Sequence, residues 1–300
     1  MLHSFDHAVI AVRDLAAATE RAASLLGRPP SWLGSHPGAG TANALFRLEN
    51  CYLELLAREG DGPVGRQVAA AVEERGEGLL AFAFGTDDVA AFALDLRRRG
   101  IAVPDPSEGE GHRADPPDGG SDEPGVRRWS SVLLPVSATR GLPLLVIEHR
   151  SPASALPLRA CDGPADAAIR ALDHAVVVSG DLAASRAVYR DALELRLALD
   201  RNFEERGLRI LFFRVGGVTV EVVASPRAAD DPAGGDRFGG LAYRVANVDR
   251  ARARLVAAGF EVSPTRSGHK AGTRVCSVRS GTCGVPTLLL QPESPRDATR

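Results

Sequence analysis

Two stretches of this chain are nearly identical, "FDHAVIAVRDLAAA" at 5–18 and "LDHAVVVSGDLAAS" at 172–185. The register persists well beyond them. The offset that carries His7 onto His174 also carries Asp14 onto Asp181, Phe46 onto Phe213, Arg47 onto Arg214 and Glu54 onto Glu221. Matches kept over that length indicate an internal duplication, so the fold must be built from repeated units.

A second pair of matching segments fills the remaining chain. "DDVAAFALDLRRRGIAV" at 87–103 resembles "ANVDRARARLVAAGFEV" at 246–262, and "GLPLLVIE" resembles "GVPTLLLQ" further on. The sequence therefore predicts four modules in the order A-B-A-B. Their ranges are 5–60, 78–150, 172–226 and 238–293.

Each module carries the same local signals. A short apolar run typical of a buried strand comes first, and an Asp or Asn suited to cap a helix follows it: Asp14, Asp88, Asp181 or Asn247. A helical stretch of about a dozen residues comes next. In the B modules it ends at Gly100 or Gly259, and β-like segments complete each module. This pattern predicts an α+β fold of four βαβββ modules, paired into two cupped-sheet domains.

The domain division follows from the same pattern. We expect one domain at 1–150, a linker at 151–170, a second domain at 171–294 and a tail at 295–300. Residues 104–127 are rich in Pro, Gly and acidic residues, which predicts a long mobile loop inside the second module. Which modules pair in space cannot be derived from the order of the chain.

Composition restricts the class of protein. The formal net charge of −2 gives no reason to expect a nucleic-acid or membrane partner. No apolar run is long enough to span a bilayer, and no secretory signal opens the chain, so we expect a cytoplasmic protein. The four cysteines lack CxxC spacing, which favours reduced thiols over a zinc ribbon or a disulfide framework.

Paired βαβββ units that begin "DHxxxxVxDL" and end "xLELL" resemble the vicinal oxygen chelate superfamily. That superfamily includes glyoxalase I, methylmalonyl-CoA epimerase, extradiol dioxygenases, fosfomycin-resistance enzymes and bleomycin-binding proteins. "GTANALFRLENCYLELLA" is especially similar to the glyoxalase-like branch. The resemblance covers nearly the whole chain and is specific for the fold rather than for one reaction.

The resemblance implies a divalent metal site, with ligands on the first and last strands of the modules. The matching residues are His7, Glu54 and Glu148 in the first half, and His174, Glu221 and Gln291 in the second. The ligand histidine expected in each B module is replaced, approximately by Leu79 and by Gly240. Imidazole and carboxylate ligands suit Zn²⁺, Mn²⁺, Fe²⁺, Co²⁺ or Ni²⁺. The alternative is that each His–Glu pair is structural, with Glu54 paired to an arginine such as Arg47.

Further histidines could complete a site. Three of them, His36, His112 and His269, lie in Gly-flanked segments where solvated turns are common, while His149 should face away from the cup because it follows Glu148 on one strand. Aromatic side chains that could line a pocket are Trp32, Trp129 and Tyr243.

The resemblance implies a metal-dependent isomerase or lyase that acts on a small oxygenated metabolite through an enediolate-type intermediate. Glu54 or Glu148 would move the proton, whereas Gln291 cannot act as a base. The alternatives are a metal-free protein that binds a drug or metabolite, and an extradiol dioxygenase, which would need two histidines and one carboxylate on one face. The expected partner is a small molecule, and the chain could be a monomer or a homodimer.

Overall fold

Each half of the chain forms one eight-stranded sheet in the computed structural model, which describes residues 1–114, 125–204, 207–224 and 235–293. The described ranges contain no helix that is both long enough and apolar enough to cross a membrane. The predicted α+β class is confirmed, and each module has the predicted βαβββ order. The exact domain boundaries stay a prediction.

The first half contains ten strands and helices in modules A and B, with an additional helix between the modules that the sequence pattern did not indicate. Module A comprises β1 (Leu2–Ala11), α1 (Leu15–Leu26), β2 (Trp32–His36), β3 (Thr41–Arg47) and β4 (Tyr52–Arg58). The additional helix is α2 (Pro63–Arg75). Module B comprises β5 (Gly78–Thr86), α3 (Val89–Arg98), β6 (Ser107–Arg113), β7 (Val126–Leu133) and β8 (Leu144–His149).

The second half repeats this order. Its first module comprises β9 (Ile169–Ser179), α4 (Leu182–Arg186, which continues as a π-helical turn at Ala187–Ala192), β10 (Arg196–Phe203), β11 (Leu208–Val215) and β12 (Val218–Ala224). Its second module comprises β13 (Arg237–Val245), α5 (Val248–Ala257), β14 (Arg266–Ser267), β15 (Arg274–Val278) and β16 (Thr287–Gln291).

The predicted helix caps are confirmed. Asp14, Asp88, Asp181 and Asn247 each accept hydrogen bonds from backbone N–H groups in the first turn of the helix that follows. This satisfies donors that have no partner within the helix. Gly100 and Gly259 stand just after α3 and α5 with φ of 84° and 81°, a conformation that glycine adopts without strain.

Sheet order shows which modules pair. The first half closes into a barrel in the order β1-β4-β3-β2-β6-β7-β8-β5, so module A pairs with module B of the same half. The second half is an open sheet in the order β10-β11-β12-β9-β13-β16-β15-β14. The barrel closes where β2 pairs with β6, through Gly34 with Arg113 and Ser35 with His112. The corresponding strands β10 and β14 are the two edges of the open sheet.

Strand β6 and the start of β7 lie within 104–127, where the sequence predicted a loop. Residues 115–124 of that segment fall outside the described residues, as does the tail at 295–300. The strand was missed because "SEGEGHR" lacks the β-branched residues that mark most strands. Its glycines have a packing role, since a Cβ on Gly109 would lie 2.4 Å from Trp129 Nε1.

The two halves pack on each other through a continuous hydrophobic core. Phe82 of β5 contacts Phe238 of β13 with ring centroids 4.4 Å apart. The Arg254 guanidinium of α5 donates to the backbone carbonyls of Ser24 and Leu25, which belong to the last turn of α1. The second half therefore caps the helix that covers the barrel of the first.

Candidate active site

A cavity of about 600 Å³ occupies the interior of the barrel. Alternation along β1 and β4 directs His7, Tyr52 and Glu54 into it. Apolar side chains cover much of its wall, namely Val9, Leu45, Leu56, Val64, Leu80, Ala81, Leu145 and Ile147. The polar and aromatic remainder includes Trp32, His36, Asn43, Arg127 and Trp129. Apolar walls with few polar groups are typical of small-molecule sites.

His7 and Glu54 meet inside this cavity. Strands β1 and β4 run parallel with His7 beside Tyr52 and Val9 beside Glu54, which brings His7 Nε2 to 3.5 Å from Glu54 Oε2. Asn43 Nδ2 donates to Glu54 Oε1 over 2.8 Å and holds the other side of the carboxylate. The contacts of Glu54 are thus an imidazole and an amide rather than the arginine of the structural alternative.

Asp6 orients His7 from behind. The His7 Nδ1 donates to Asp6 Oδ1 over 2.7 Å, and His149 Nε2 donates to Asp6 Oδ2 over 3.0 Å. Burial acts to raise the pKa of Asp6, but the hydrogen bonds and charges of His149 and His7 outweigh it and hold this pKa well below its usual value. The carboxylate stays ionised and fixes the His7 ring so that Nε2 faces Glu54.

His149 thus contacts Asp6, whereas the sequence predicted that it faces away from the cup. The parity of β8 explains the difference, because Leu145 and Ile147 line the cavity and His149 follows them on the same face. The opposite face carries Glu148.

Glu148 and Gln291 do not join the His–Glu pairs. Glu148 Oε2 accepts from the Val89 backbone N–H over 3.1 Å at the start of α3, and Gln291 Oε1 accepts from the Val248 N–H over 3.0 Å at the start of α5. Glu148 also pairs with Arg150. Both side chains therefore satisfy a free donor at a helix N-terminus, a task that an acid and an amide perform equally well.

Aromatic rings and a cation surround the His–Glu pair. The Tyr52 ring stacks on His7, with centroids 4.4 Å apart and an interplanar angle of 18°. The Arg127 guanidinium lies 5.6 Å from the centroid of Tyr52 and 5.7 Å from that of Trp32. Burial raises the pKa of Tyr52 well above its usual value, so its hydroxyl stays protonated.

The loop histidines separate into two groups. His36 lies at the end of β2 and His112 lies in β6, and both line the cavity. The Nδ1 of His36 is 2.9 Å from Thr41 Oγ1, and its ring meets Trp129 edge to face with centroids 5.6 Å apart. His269 lines neither this cavity nor the one in the second half, and Tyr243 is buried in the core.

The second half keeps a looser version of the pair. His174 Nδ1 lies 3.0 Å from Asp173 Oδ1 and 3.8 Å from Glu221 Oε1. Burial acts to lower the pKa of His174, but the hydrogen bond that His174 donates to Asp173 and the charge of Glu221 raise it overall. Burial raises the pKa of Glu221. His174 lines an open cavity of about 630 Å³. A Cβ on Gly240 would lie 2.4 Å from the Pro286 carbonyl oxygen, so a histidine does not fit there.

The residues present do not complete the predicted metal site. His7 and Glu54 supply two donors, but nowhere in the described ranges do three or more His, Cys, Asp or Glu side chains form a group that could hold an ion. Catalytic zinc sites ordinarily use three protein ligands. The strand position expected to supply the third, Glu148, is turned toward α3. The ligand roles predicted for these residues stay predictions.

Sequence reasoning missed four neighbours of the pair: Asp6, Asn43, Arg127 and His149. Asp6 carried a usable signal, because the "DH" dipeptide recurs as Asp173–His174 and both aspartates contact the adjacent imidazole. The others are brought in by strand pairing from distant segments and had no repeated partner to mark them.

Comparison with known families agrees with this fold. Residues 5–166 match the family described as the glyoxalase-like domain. Residues 171–282 match the Glyoxalase/Bleomycin resistance protein/Dioxygenase superfamily. A search of curated protein sequences found no match.

The solved structures that share this fold include the following three. A mutant of 4-hydroxymandelate synthase from Streptomyces coelicolor is 16% identical, with a TM-score of 0.67 over 98% of this chain and 94% of that one. A hypothetical protein from Staphylococcus aureus is 12% identical, with a TM-score of 0.62 over 95% and 98%. A xylose isomerase-like TIM barrel/4-hydroxyphenylpyruvate dioxygenase fusion protein is 14% identical, with a TM-score of 0.61 over 100% of this chain and 50% of that one. At these identities the likeness concerns the fold alone.

Proposed function

This chain belongs to the glyoxalase-like domain family, and on that basis we propose that its N-terminal barrel is the active site of an isomerase- or lyase-type enzyme. The reaction moves a proton at the carbon beside a carbonyl of a small oxygenated metabolite. The observation that carries the proposal is the His7–Glu54 pair, at 3.5 Å, inside the barrel cavity and supported by Asp6.

Glu54 is the base. Asn43 occupies one of its oxygens, and the other faces His7 and is free to take a proton from a bound substrate. His7 lies between two carboxylates, with Nδ1 toward Asp6 and Nε2 toward Glu54. With a proton on Nε2, the ring would donate to the substrate oxygen on which negative charge develops, while Asp6 accepts from Nδ1.

The walls of the barrel support this chemistry. The apolar residues around the pair reduce the access of water, which strengthens hydrogen bonds to a developing oxyanion. His7 and Glu54 would hold a divalent ion, which would polarise the same substrate oxygen, but the described residues provide no third donor for it.

The test is exchange of hydrogen with solvent. A panel of small 2-oxo and 2-hydroxy compounds is incubated with the protein in D₂O, and deuterium at the carbon beside the oxygen is followed by NMR. Glu54→Gln should lower the exchange rate by roughly 10²- to 10⁴-fold, the usual contribution of a general base. The matched control is Glu221→Gln, the corresponding carboxylate of the second half, which should leave the rate unchanged.

Two results would contradict the proposal. If the wild-type protein exchanges none of these compounds yet binds some of them, the barrel is a binding site, as in the metal-free alternative. If Glu221→Gln and Glu54→Gln lose activity equally, the open sheet takes part. The proposal also includes a small-molecule substrate as the partner of the protein. The protein is proposed to be a monomer or a homodimer, and light scattering of the purified protein distinguishes these two states.

A further inference from the structure

Arg127 is a buried cation in the wall of the cavity. It lies on β7, is only 7% exposed and borders the space that contains His7 and Glu54. Its guanidinium lies 5.7 Å from the centroid of the Trp32 ring and 5.6 Å from that of the Tyr52 ring. Aromatic faces attract a cation, but they do not neutralise its charge.

No carboxylate among the described residues lies within ion-pair distance of Arg127. The three glutamates that line the cavity are otherwise engaged or face solvent. Glu54 contacts His7 and Asn43, Glu110 contacts His112 and Arg128, and Glu108 is exposed. Buried charges in proteins are ordinarily paired, because the loss of water around an unpaired ion is costly.

We propose that Arg127 binds the carboxylate of the substrate, so that the substrate is a small carboxylic acid with an apolar or aromatic body. An arginine presents N–H donors in a fork that matches a carboxylate. The Tyr52 ring contacts both Arg127 and His7, which places the anchored group one aromatic ring away from the His7–Glu54 pair. This inference rests on the proposed function, which identifies the reacting end of the substrate. It adds the chemical group at the opposite end of the same molecule.

The shape of the substrate follows from the remaining wall. The apolar side chains of Leu56, Leu80 and Ile147 give its body no hydrogen-bond donors, whereas Trp32 and Trp129 offer aromatic surface. A carboxylate held by Arg127 also keeps the negative end of the molecule away from Glu54, whose charge would repel it.

The two tryptophans make the test direct. Trp32 and Trp129 are the only tryptophans of the chain, and both line the cavity. Binding is followed by tryptophan fluorescence excited at a wavelength that the probes do not absorb. The probes are phenylacetate and its neutral isostere phenylacetamide, which differ in charge but hardly in shape.

The wild-type protein should bind phenylacetate more tightly than phenylacetamide, by on the order of 10- to 100-fold, as expected for hydrogen bonds to a charged group. Arg127→Gln should remove this preference and leave the binding of phenylacetamide unchanged. Arg127→Lys should retain part of it. Arg266→Gln changes the net charge equally at an exposed position of the other half, and it should have no effect.

Retained phenylacetamide binding shows that Arg127→Gln is folded. Should that variant fail to fold, salt dependence decides, because an ion pair with the anion weakens as ionic strength rises while amide binding does not. Equal wild-type affinity for the two probes, binding of neither, or a preference that survives in Arg127→Gln would each overturn the inference.

The Glu54→Gln variant separates the two proposals. It should keep or improve phenylacetate binding, because it removes a negative charge from the cavity. Anion binding that depends on Arg127 without any hydrogen exchange would refute the proposed reaction and support the anchor. Hydrogen exchange that depends on Glu54, without any preference for phenylacetate over phenylacetamide, would support the proposed reaction and refute the role of Arg127.

Discussion

Glu148 Oε2 accepts a hydrogen bond from the backbone nitrogen of Val89, the first residue of α3, over 3.1 Å. The corresponding contact in the second half joins Gln291 to Val248 over 3.0 Å. The duplication has thus preserved a helix-terminal contact, and it tolerates an acid in one half and an amide in the other.

The first prediction concerns this contact. Glu148→Gln should change the free energy of unfolding by less than about 0.5 kcal/mol, because an amide oxygen accepts the same hydrogen bond. Glu148→Ala leaves the Val89 N–H without this partner and should cost about 1 kcal/mol. Chemical denaturation measures both values. If a stable Glu148→Gln variant no longer exchanges the substrate hydrogen with solvent, Glu148 has the catalytic role predicted from the sequence.

The second prediction concerns Asp6. Asp6→Asn replaces a carboxylate that accepts from both His7 and His149 with an uncharged amide that has a single acceptor oxygen. The exchange rate should fall roughly 10- to 100-fold, as is typical when the residue that orients a functional histidine is lost. Asp173→Asn is the matched control in the second half, and its exchange rate should equal that of the wild type. An Asp6→Asn variant that is fully active would show that His7 needs no orienting partner.

The third prediction concerns the protonation of His36. Burial, together with the nearby charges of Arg127 and His112, lowers the pKa of this imidazole below 6.5, although Glu54 acts to raise it. Nitrogen NMR of the histidine rings should therefore show His36 mainly neutral at pH 6.5.

The same shift affects stability. The unfolded chain takes up a proton at His36 at a higher pH than the folded chain does. The contribution of His36 to the free energy of unfolding is therefore fully present above about pH 6.5. It is lost as the pH falls through the pKa of His36 in the folded protein. The wild type should lose stability relative to His36→Gln over that window, and denaturation at a series of pH values measures the difference. A constant difference between the two proteins would contradict the shift.

The fourth prediction concerns metal. Two donors at the His7–Glu54 pair make a weak site, so freshly purified protein should contain well below one divalent ion per chain by elemental analysis. The double variant His7→Ala, His174→Ala should contain as little. About one ion per chain in the wild type, lost in the double variant, would restore the metal-dependent mechanism implied by the family resemblance.

The architecture could be predicted because each module occurs twice in the sequence, and because the caps Asp14 and Asn247 mark where helices begin. The His7–Glu54 contact was also predictable, since the same two residue types recur at the same spacing. The direction of Glu148 was not, because strand alternation fixes which residues share a face but not which face is the inner one. Arg127 gave no signal at all, since its burial results from the pairing of β7 with β6 and β8.

Among the described residues, two pairs, Gly34 with Arg113 and Ser35 with His112, join β2 to β6 and convert a curved sheet into a tube. One further backbone hydrogen bond, from Ala114 N–H to the Leu33 carbonyl, lies beside them. Parting the barrel at this seam breaks few backbone hydrogen bonds and leaves every other strand pair intact. Local separation of these two edges would widen the barrel without global unfolding. The amide protons of this seam should exchange with solvent before those of the other strand pairs in the barrel.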